Sequence, residues 1–579
     1  MPSIYKRIFL LATLICAVSL TVNAQQATDE TQRSLLPDID PQDIEIRSQF
    51  QARFPGLRRQ PILGFNPQPR IFQVDSDRMP FIEDEEAIAA SVPVAELDRP
   101  DGPGFRPLTY RDPNNGFARV GVGSYFSPEA DVYAMRRLGD GHWVSGNINH
   151  SSSSGHISNL NTSYRFFNGV VRSHHRLSQN TIVRLHAGAS TDFNYLPVNV
   201  NVSQQEFVDG SDGRVSQNGF RGGAVISSDR NTIAGWRASV NGFGNNYEIS
   251  EAAGITRNGA ASEWGVSGSA QYSWLGSRVE EVYRVNVGVK AGEIDLIDQD
   301  SDSWSITHAK IGYDRVFDFL TDVSLEMGLS FISDPVNGTT FYPTPRAEVR
   351  HTIFSGLDVR GIFSGQPKHN SLSDFRSKNR FIRLTDPVQH QYELEGRGEA
   401  IFEPLGGTSL SAGFGYKTVQ NSPFFTRERD QNADGDLEFG PYQLNFANAS
   451  FLRLYGAFTQ RLVPEKLWID AEGFIQRPRL SNGDKIPFTE AMNIKGTISF
   501  RPSASVLLQA WTEFTGSRFH PDGSDLSEFG LFGGKFEVAI SDRFGVYGKL
   551  INITGTDYEI WQGYPERGFQ AFAGITYLF

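Results

Sequence analysis

The last eleven residues, Phe569-Gln570-Ala571-Phe572-Ala573-Gly574-Ile575-Thr576-Tyr577-Leu578-Phe579, alternate along their whole length. Successive side chains of a β-strand point to opposite faces, so Phe569, Ala571, Ala573, Ile575, Tyr577 and Phe579 share one face of this strand. Gln570, Phe572, Gly574, Thr576 and Leu578 share the other, and the chain stops on the aromatic. A strand this regular needs partners for its backbone donors and acceptors, and they must lie upstream.

The same split recurs further back. Met492, Ile494, Ile498 and Phe500 oppose Asn493, Lys495, Thr497 and Ser499, while Leu467, Ile469, Ala471 and Ile475 oppose Asp470 and Glu472. In Glu281 to Lys290, Tyr283, Val285, Val287 and Val289 oppose Arg284, Asn286, Gly288 and Lys290. Alternation alone also suits a soluble two-sheet sandwich. Connection lengths separate the two. Tight turns are read at Ser541-Asp542, Arg501-Pro502-Ser503, Val463-Pro464-Glu465, Pro404-Leu405-Gly406, Phe354-Ser355-Gly356, Leu275-Gly276-Ser277 and Asp229-Arg230. Between them lie long stretches, Gly516 to Ser527, Pro478 to Ile486, Val419 to Leu444, Gly365 to Pro387 and Thr191 to Asn218, all read as polar loops. Short turns on one rim and long loops on the other are the asymmetry of a bacterial outer-membrane barrel.

The expected fold is therefore all-β: a transmembrane antiparallel β-barrel over 117–579 with about 22 strands (range about 18–24), an even number that returns both ends to the periplasmic side. The composition agrees, with 57 Gly, 12% aromatic residues and no alternation of strands with long helices.

At the other end, Lys6 and Arg7 precede an apolar run from Ile8 to Val22 and the small-residue site Val22-Asn23-Ala24, so 1–24 reads as a signal peptide. The only cysteine, Cys16, lies inside it, which leaves the exported chain without thiol chemistry. Losing Lys6 and Arg7 takes the formal charge from -12 to -14, with 52 basic against 66 acidic residues, and an acidic balance excludes nucleic acid as a partner. Residues 25–116 are rich in Pro and acid, as in Gly64-Phe65-Asn66-Pro67-Gln68-Pro69 and Glu83-Asp84-Glu85-Glu86. They read as mostly irregular periplasmic or lumenal chain, with one short helix expected over Asp40 to Arg53.

Two resemblances add to this reading. A terminal strand ending in Ile575, Tyr577 and Phe579 resembles the signal read by the outer-membrane barrel assembly machinery, which makes that machinery and the outer-membrane lipid expected partners. The stretch Tyr547-Gly548-Lys549-Leu550 followed by Asp557-Tyr558-Glu559-Ile560-Trp561-Gln562-Gly563-Tyr564-Pro565-Glu566-Arg567-Gly568 is similar to the closing hairpin of TonB-dependent receptor barrels, and Asn421-Ser422-Pro423-Phe424-Phe425 is similar in kind. That resemblance implies a 22-stranded transport barrel. The 92 residues from Gln25 to Gly116 are fewer than a complete plug domain of that family takes.

Function follows three ways from such a barrel. A transport barrel would use a polar lumen lined by Arg284, Lys290, Asp470, Glu472 and Lys495, with Gln60 to Pro107 as its occupant. A structural or binding barrel would use its long outer loops to contact a partner protein or surface glycan, and a periplasmic or surface protein partner is expected for such a barrel. A barrel enzyme would need a nucleophile beside a paired His, and neither His174-His175 nor the other histidines carry such a motif. Transport leads and no enzyme is expected. One cofactor reading concerns Asp430, Asn432, Asp434, Asp436 and Glu438, whose oxygens alternate around Gly435 as in the first half of a calcium loop. Pro441 stands where the closing acid should be, so a Ca2+ site and a solvated acidic turn both fit.

If the terminal aromatic directs insertion, deleting Phe579 leaves the protein in the periplasm. Fractionation showing normal outer-membrane yield of the deletion would count against it.

Overall fold

The computed structural model describes residues 115–579, apart from 157–161, 196–198, 202–205, 208–212, 229–234, 251–258, 279, 319, 405, 432–436 and 521–524. The expected signal peptide over 1–24, the expected helix over Asp40 to Arg53, the rest of the segment up to 114 and the core of the calcium-type stretch lie outside the described residues.

Twenty-two antiparallel strands close into one barrel. The first, Gly116–Gly123, pairs with Ser127–Gly139 on one side and with the last, Gln570–Leu578, on the other. Gly116 and Phe579 exchange backbone hydrogen bonds of 2.9 and 3.0 Å, so the sheet has no edge at its seam. The twelfth strand is interrupted. Gly338–Pro343 and Arg346–Phe354 both pair with Thr321–Asp334, broken at Thr344-Pro345 because Pro345 has no N–H for the ladder.

Ten connections of two to six residues lie on one rim and connections of three to 22 residues on the other. Both barrel ends fall on the short-turn rim, so the long loops face outward. Three sequence expectations need correction. The stretch from Val419 to Leu444 is mostly a hairpin: Thr408–Gln431 and Leu437–Val463 stay paired from Thr408↔Gln460 to Gln431↔Leu437, with bulges beyond Val419 and Arg427. Its Asn, Pro and Asp residues suggested a loop, but bulges absorb them without ending the ladder. The turn placed at Arg501-Pro502-Ser503 lies later, at 504–505, since Met492–Ser503 runs on through Pro502. Most consequential, the segment 369–390 is no polar loop; it holds the helix α1 (Leu372–Lys378) and much of the buried apolar core.

The outward face carries exposed Val289, Ile311, Met327, Phe414, Leu454 and Ile498, the surface that lipid covers. Aromatics gather toward the short-turn rim, where Trp274, Tyr283 and Tyr313 form a ladder with centroids 5.8 and 5.2 Å apart. A separate group stands at the seam, where Tyr577 lies 4.9 Å from Phe544 and 6.0 Å from Phe579 and Ile575 faces outward beside them. On the inner side of the seam, Glu537 accepts from buried Arg119 at 3.0 Å and Lys535 at 2.7 Å. Glu129 accepts from Tyr547 at 2.6 Å and lies 3.6 Å from Lys549.

Replacing Glu537→Ala leaves two buried cations short of their shared carboxylate, a loss of about 3–5 kcal/mol for a pair of this kind. The temperature at which the barrel loses its compact mobility on a detergent gel should fall. An unchanged temperature would show that the seam does not depend on this cluster.

Candidate functional site

The inner wall is built from residues that the two-residue period turns away from lipid, and they neutralise one another. Arg284 meets Asp314 at 2.6 Å, and Asp314 also accepts from Ser324 at 2.5 Å. Lys310 meets Glu326 at 3.0 Å and Arg360 meets Glu348 at 2.6 Å. Lys495 lies 3.5 Å from Glu513 and directly opposite Glu472 in the ladder, while Asp470 accepts from Thr459 at 2.9 Å. Of the five residues expected to line the lumen, these four therefore sit in local wall contacts. The fifth, Lys290, does something else: its Nζ lies 2.8 Å from His369 Nδ1, on the segment that folds in from the outer rim.

That segment, 369–390, leaves the wall between the thirteenth strand, Leu357–Lys368, and the fourteenth, Gln391–Phe402. Its first half becomes helical because Ser371 and Asp374 form a reciprocal capping box: Ser371 Oγ accepts from the Asp374 amide and Asp374 from the Ser371 amide, each at 3.1 Å. The Leu372 amide donates to Glu263 Oε2 on the eighth strand, Gly259–Leu275, at 2.9 Å. Leu372 and Phe375 are fully buried. Arg376, 2% exposed, reaches the fifth strand, Thr181–Tyr195, where it pairs with Asp192 at 3.0 Å and donates to Asn194. The fifth strand stands eight places round the wall from the thirteenth, so the segment crosses the lumen like a chord and lays α1 against the fifth to eighth strands.

The second half of the segment completes the crossing. Asn379 ends the helix, its amide donating to Phe375 and its side chain accepting from the Phe381 amide, both at 2.9 Å. Ile382 and Arg383 then pair in parallel with Tyr442 and Gln443, and Tyr247 donates its hydroxyl to the Ile382 carbonyl. Leu384 and Val388 are buried against Ile294, Leu296, Ile297 and Trp304. Returning to the wall, His390 lies 4.8 Å from His369, and Trp304 lies 4.1 Å from the His369 ring and 5.0 Å from the His390 ring.

A second loop, 552–569, folds inward to meet it. Phe381 and Tyr564 stack at 3.7 Å and 9°, and Arg380 pairs with Glu566 at 2.7 Å. Cations from across the mouth hold its backbone: Arg427 donates to the Gln562 carbonyl at 2.7 Å, and Arg518 to those of Ile560 and Glu559 at 3.0 and 2.5 Å. Gly563 has φ +76°, and a Cβ there would stand 2.5 Å from Arg427 Nη1, so the position takes only glycine. The two loops and His156, 2.9 Å from the Pro565 carbonyl, surround a small cleft opening outward beside Tyr164, Tyr195 and Arg567.

The adjacent histidines do not form a catalytic pair. His174 stacks on Trp143 at 5.4 Å and His175 Nδ1 lies 3.2 Å from His142 Nδ1, each spent on the neighbouring strand. Among the described residues no His, Asp and Glu converge in a metal-binding group, and the side chains of the calcium-type stretch fall outside them. Glu263, His369, Arg376, Phe381 and His390 are not among the residues expected from the sequence, and Tyr564 figures there only as part of the closing-hairpin resemblance. Two signals were present: Ser371-Leu372-Ser373-Asp374 fits a capping box, and Phe381, Ile382, Leu384 and Val388 are too apolar for a solvated loop.

No family model and no curated protein matches the sequence. Solved structures do match the fold. The ferric-catecholate import receptor Fiu from E. coli K12 aligns over 81% of this chain and 82% of its own at TM-score 0.60 and 10% identity. The FrpB iron transporter from Neisseria meningitidis (F3-3 variant) aligns over 82% of each chain at TM-score 0.63 and 8% identity. The copper transporter OprC aligns over 82% of each at TM-score 0.62 and 11% identity. The likeness is one of fold, the 22-stranded barrel of TonB-dependent receptors.

The chord depends on Arg376 most. Arg376→Ala should weaken the docking of α1 by about 3 kcal/mol, the low end for a broken buried pair because Asp192 keeps 21% of its side chain exposed. Trypsin should then cut faster at Lys378, Arg380 and Arg383. Cleavage as slow as in the parent would show that the apolar contacts suffice.

Proposed function

We propose that the chain is a transport barrel that passes solutes across the outer membrane. The observation that carries this reading is the width of the structure: 22 strands enclose more space than wall side chains fill, and the wall is lined with paired charges rather than packed apolar residues. The likeness to barrels named as import receptors and transporters supports it. A purely structural barrel has no use for a wide polar interior, nor for two loops built to meet across its outer mouth.

The ion pairs suit passage. A wall charge already matched by its neighbour presents a polar surface to a solute without trapping an ion of either sign. A periplasmic partner and the N-terminal occupant at 60–107 belong to the same proposal.

The test removes both closures, by deleting residues 60–107 and replacing 370–389 with a short Gly-Ser linker, and records single-channel conductance in planar bilayers. Stable ion-conducting openings are expected from this variant. Background conductance from a barrel that has inserted and kept its heat-modifiable mobility would overturn the transport reading.

A further inference from the structure

We propose that segment 369–390 is a gate across the outer mouth, latched at His369 between Lys290 and Glu263, and that acid releases the latch. The proposal assigns regulation to the pathway just described and rests on that reading only for the consequence of opening, not for the opening itself.

The latch is set by geometry. Lys290 Nζ stands 2.8 Å from His369 Nδ1; an ammonium can only donate, so Nδ1 is the accepting nitrogen and the ring proton sits on Nε2. Nε2 lies 3.1 Å from Glu263 Oε1 without hydrogen-bond alignment, while the other carboxylate oxygen of Glu263 accepts from the first amide of α1 at 2.9 Å. The Lys290–His369 contact thus fastens the start of the segment to the ninth strand, Glu281–Asp295, and the bond from the Leu372 amide to Glu263 fastens it to the eighth. Aromatic rings close round it, with Phe243 5.7 Å and Trp304 4.1 Å from His369.

A second ring proton has nowhere to go while the segment is closed. It would lie on Nδ1, pointing at the Lys290 ammonium 2.8 Å away. The remaining titratable groups around the ring are Asp374 on α1, which favours the charged form, and His390, which opposes it once charged. His390 is pressed by the same Lys290 and by His369. Burial, and then Lys290 and its neighbouring imidazole, hold both histidines well below the ordinary imidazole range.

The sign follows from linkage. The closed state keeps the histidines neutral, and an open segment returns them to water with an ordinary pKa of about 6.5. At these two histidines the open state therefore binds more protons, so their contribution to closure is at full strength above that value and weakens as pH falls below it. Between about pH 7.5 and about pH 5, one such histidine shifts the balance toward the open form about thirtyfold, and a second adds to it.

The segment itself supplies the reporter. Val388, on the segment itself, is buried in the mouth, and the only cysteine in the sequence is Cys16, so Val388→Cys places a thiol that an aqueous maleimide reaches only when the gate lifts. Labelling is divided by that of Asn482→Cys on an exposed loop, which cancels the intrinsic pH dependence of the thiol. The normalised rate should rise by tenfold or more, up to about thirtyfold, between about pH 7.5 and about pH 5. It should stay flat when His369→Gln and His390→Gln are added, and flat when Arg383→Cys and Gln443→Cys, neighbours in the parallel pairing, are oxidised to lock the segment down. An unchanged ratio with the parent histidines, or an acid rise that survives their replacement, overturns the gate. Conductance recorded on the same protein separates the two readings: labelling that rises without conductance keeps the gate and removes the transport reading.

Discussion

Everything in this molecule descends from one constraint, that a backbone N–H or C=O facing hydrocarbon has no water to turn to. A strand can cross a membrane only if both its neighbours are strands, and a sheet satisfies that for every member only by closing. The hydrogen bonds between Gly116 and Phe579 are where the requirement is met. The wall beside the seam is also cross-linked inside, since Arg119 on the first strand reaches Glu537 on the twentieth, where Lys535 shares the same buried carboxylate. Closure at this strand number then creates the second problem, an interior that the wall cannot fill.

The answer at the outer end comes from loops and not from the wall. Two loops of 22 and 18 residues turn inward, meet at Phe381 and Tyr564, and gather Tyr247, Phe425, Tyr442 and Trp304 into one apolar cluster. This cluster is the hydrophobic core of a protein whose other apolar face belongs to lipid. Its polar members are carefully placed, because each backbone carbonyl exposed by an irregular loop must still find a donor; Arg427, Arg518, Tyr247 and Tyr442 provide them.

How much of this could be read in the sequence follows from the range of the interactions involved. The wall is repetitive and local: alternation around Tyr283 to Lys290 or in the last strand needs only next-but-one neighbours, and turns such as Phe354-Ser355-Gly356 announce themselves. Lys290, Arg284 and Lys495 can be placed on the inner face for that reason. The mouth is not local. Arg376 and Asp192 are 184 residues apart, and nothing near either one points to the other. The stretch 365–387 reads as a loop because Ser, Asp, Asn and Lys dilute its apolar residues, and because its helix is too short to show a period. The long hairpin escapes for the opposite reason, that turn-forming residues can sit in bulges of a ladder that the partner strand holds together.

The composition of the latch bears on what the mouth is for. If the segment were a permanent stopper, apolar residues at 263, 290 and 369 would close it at less cost, because desolvating a lysine and a carboxylate is recovered only when their geometry is well matched. The chain instead places a lysine and a glutamate on adjacent strands of the wall and inserts between them the one side chain that changes charge near neutral pH. An arrangement of this kind is stable in one protonation state and unstable in the other, whereas the Phe381–Tyr564 stack and the Arg376 clamp are indifferent to a proton on the ring. Those contacts can therefore re-form when the proton leaves, which makes closure reversible: the pH-sensitive histidines sit where the segment leaves and rejoins the wall, and the insensitive contacts sit between them, positioned to guide it back.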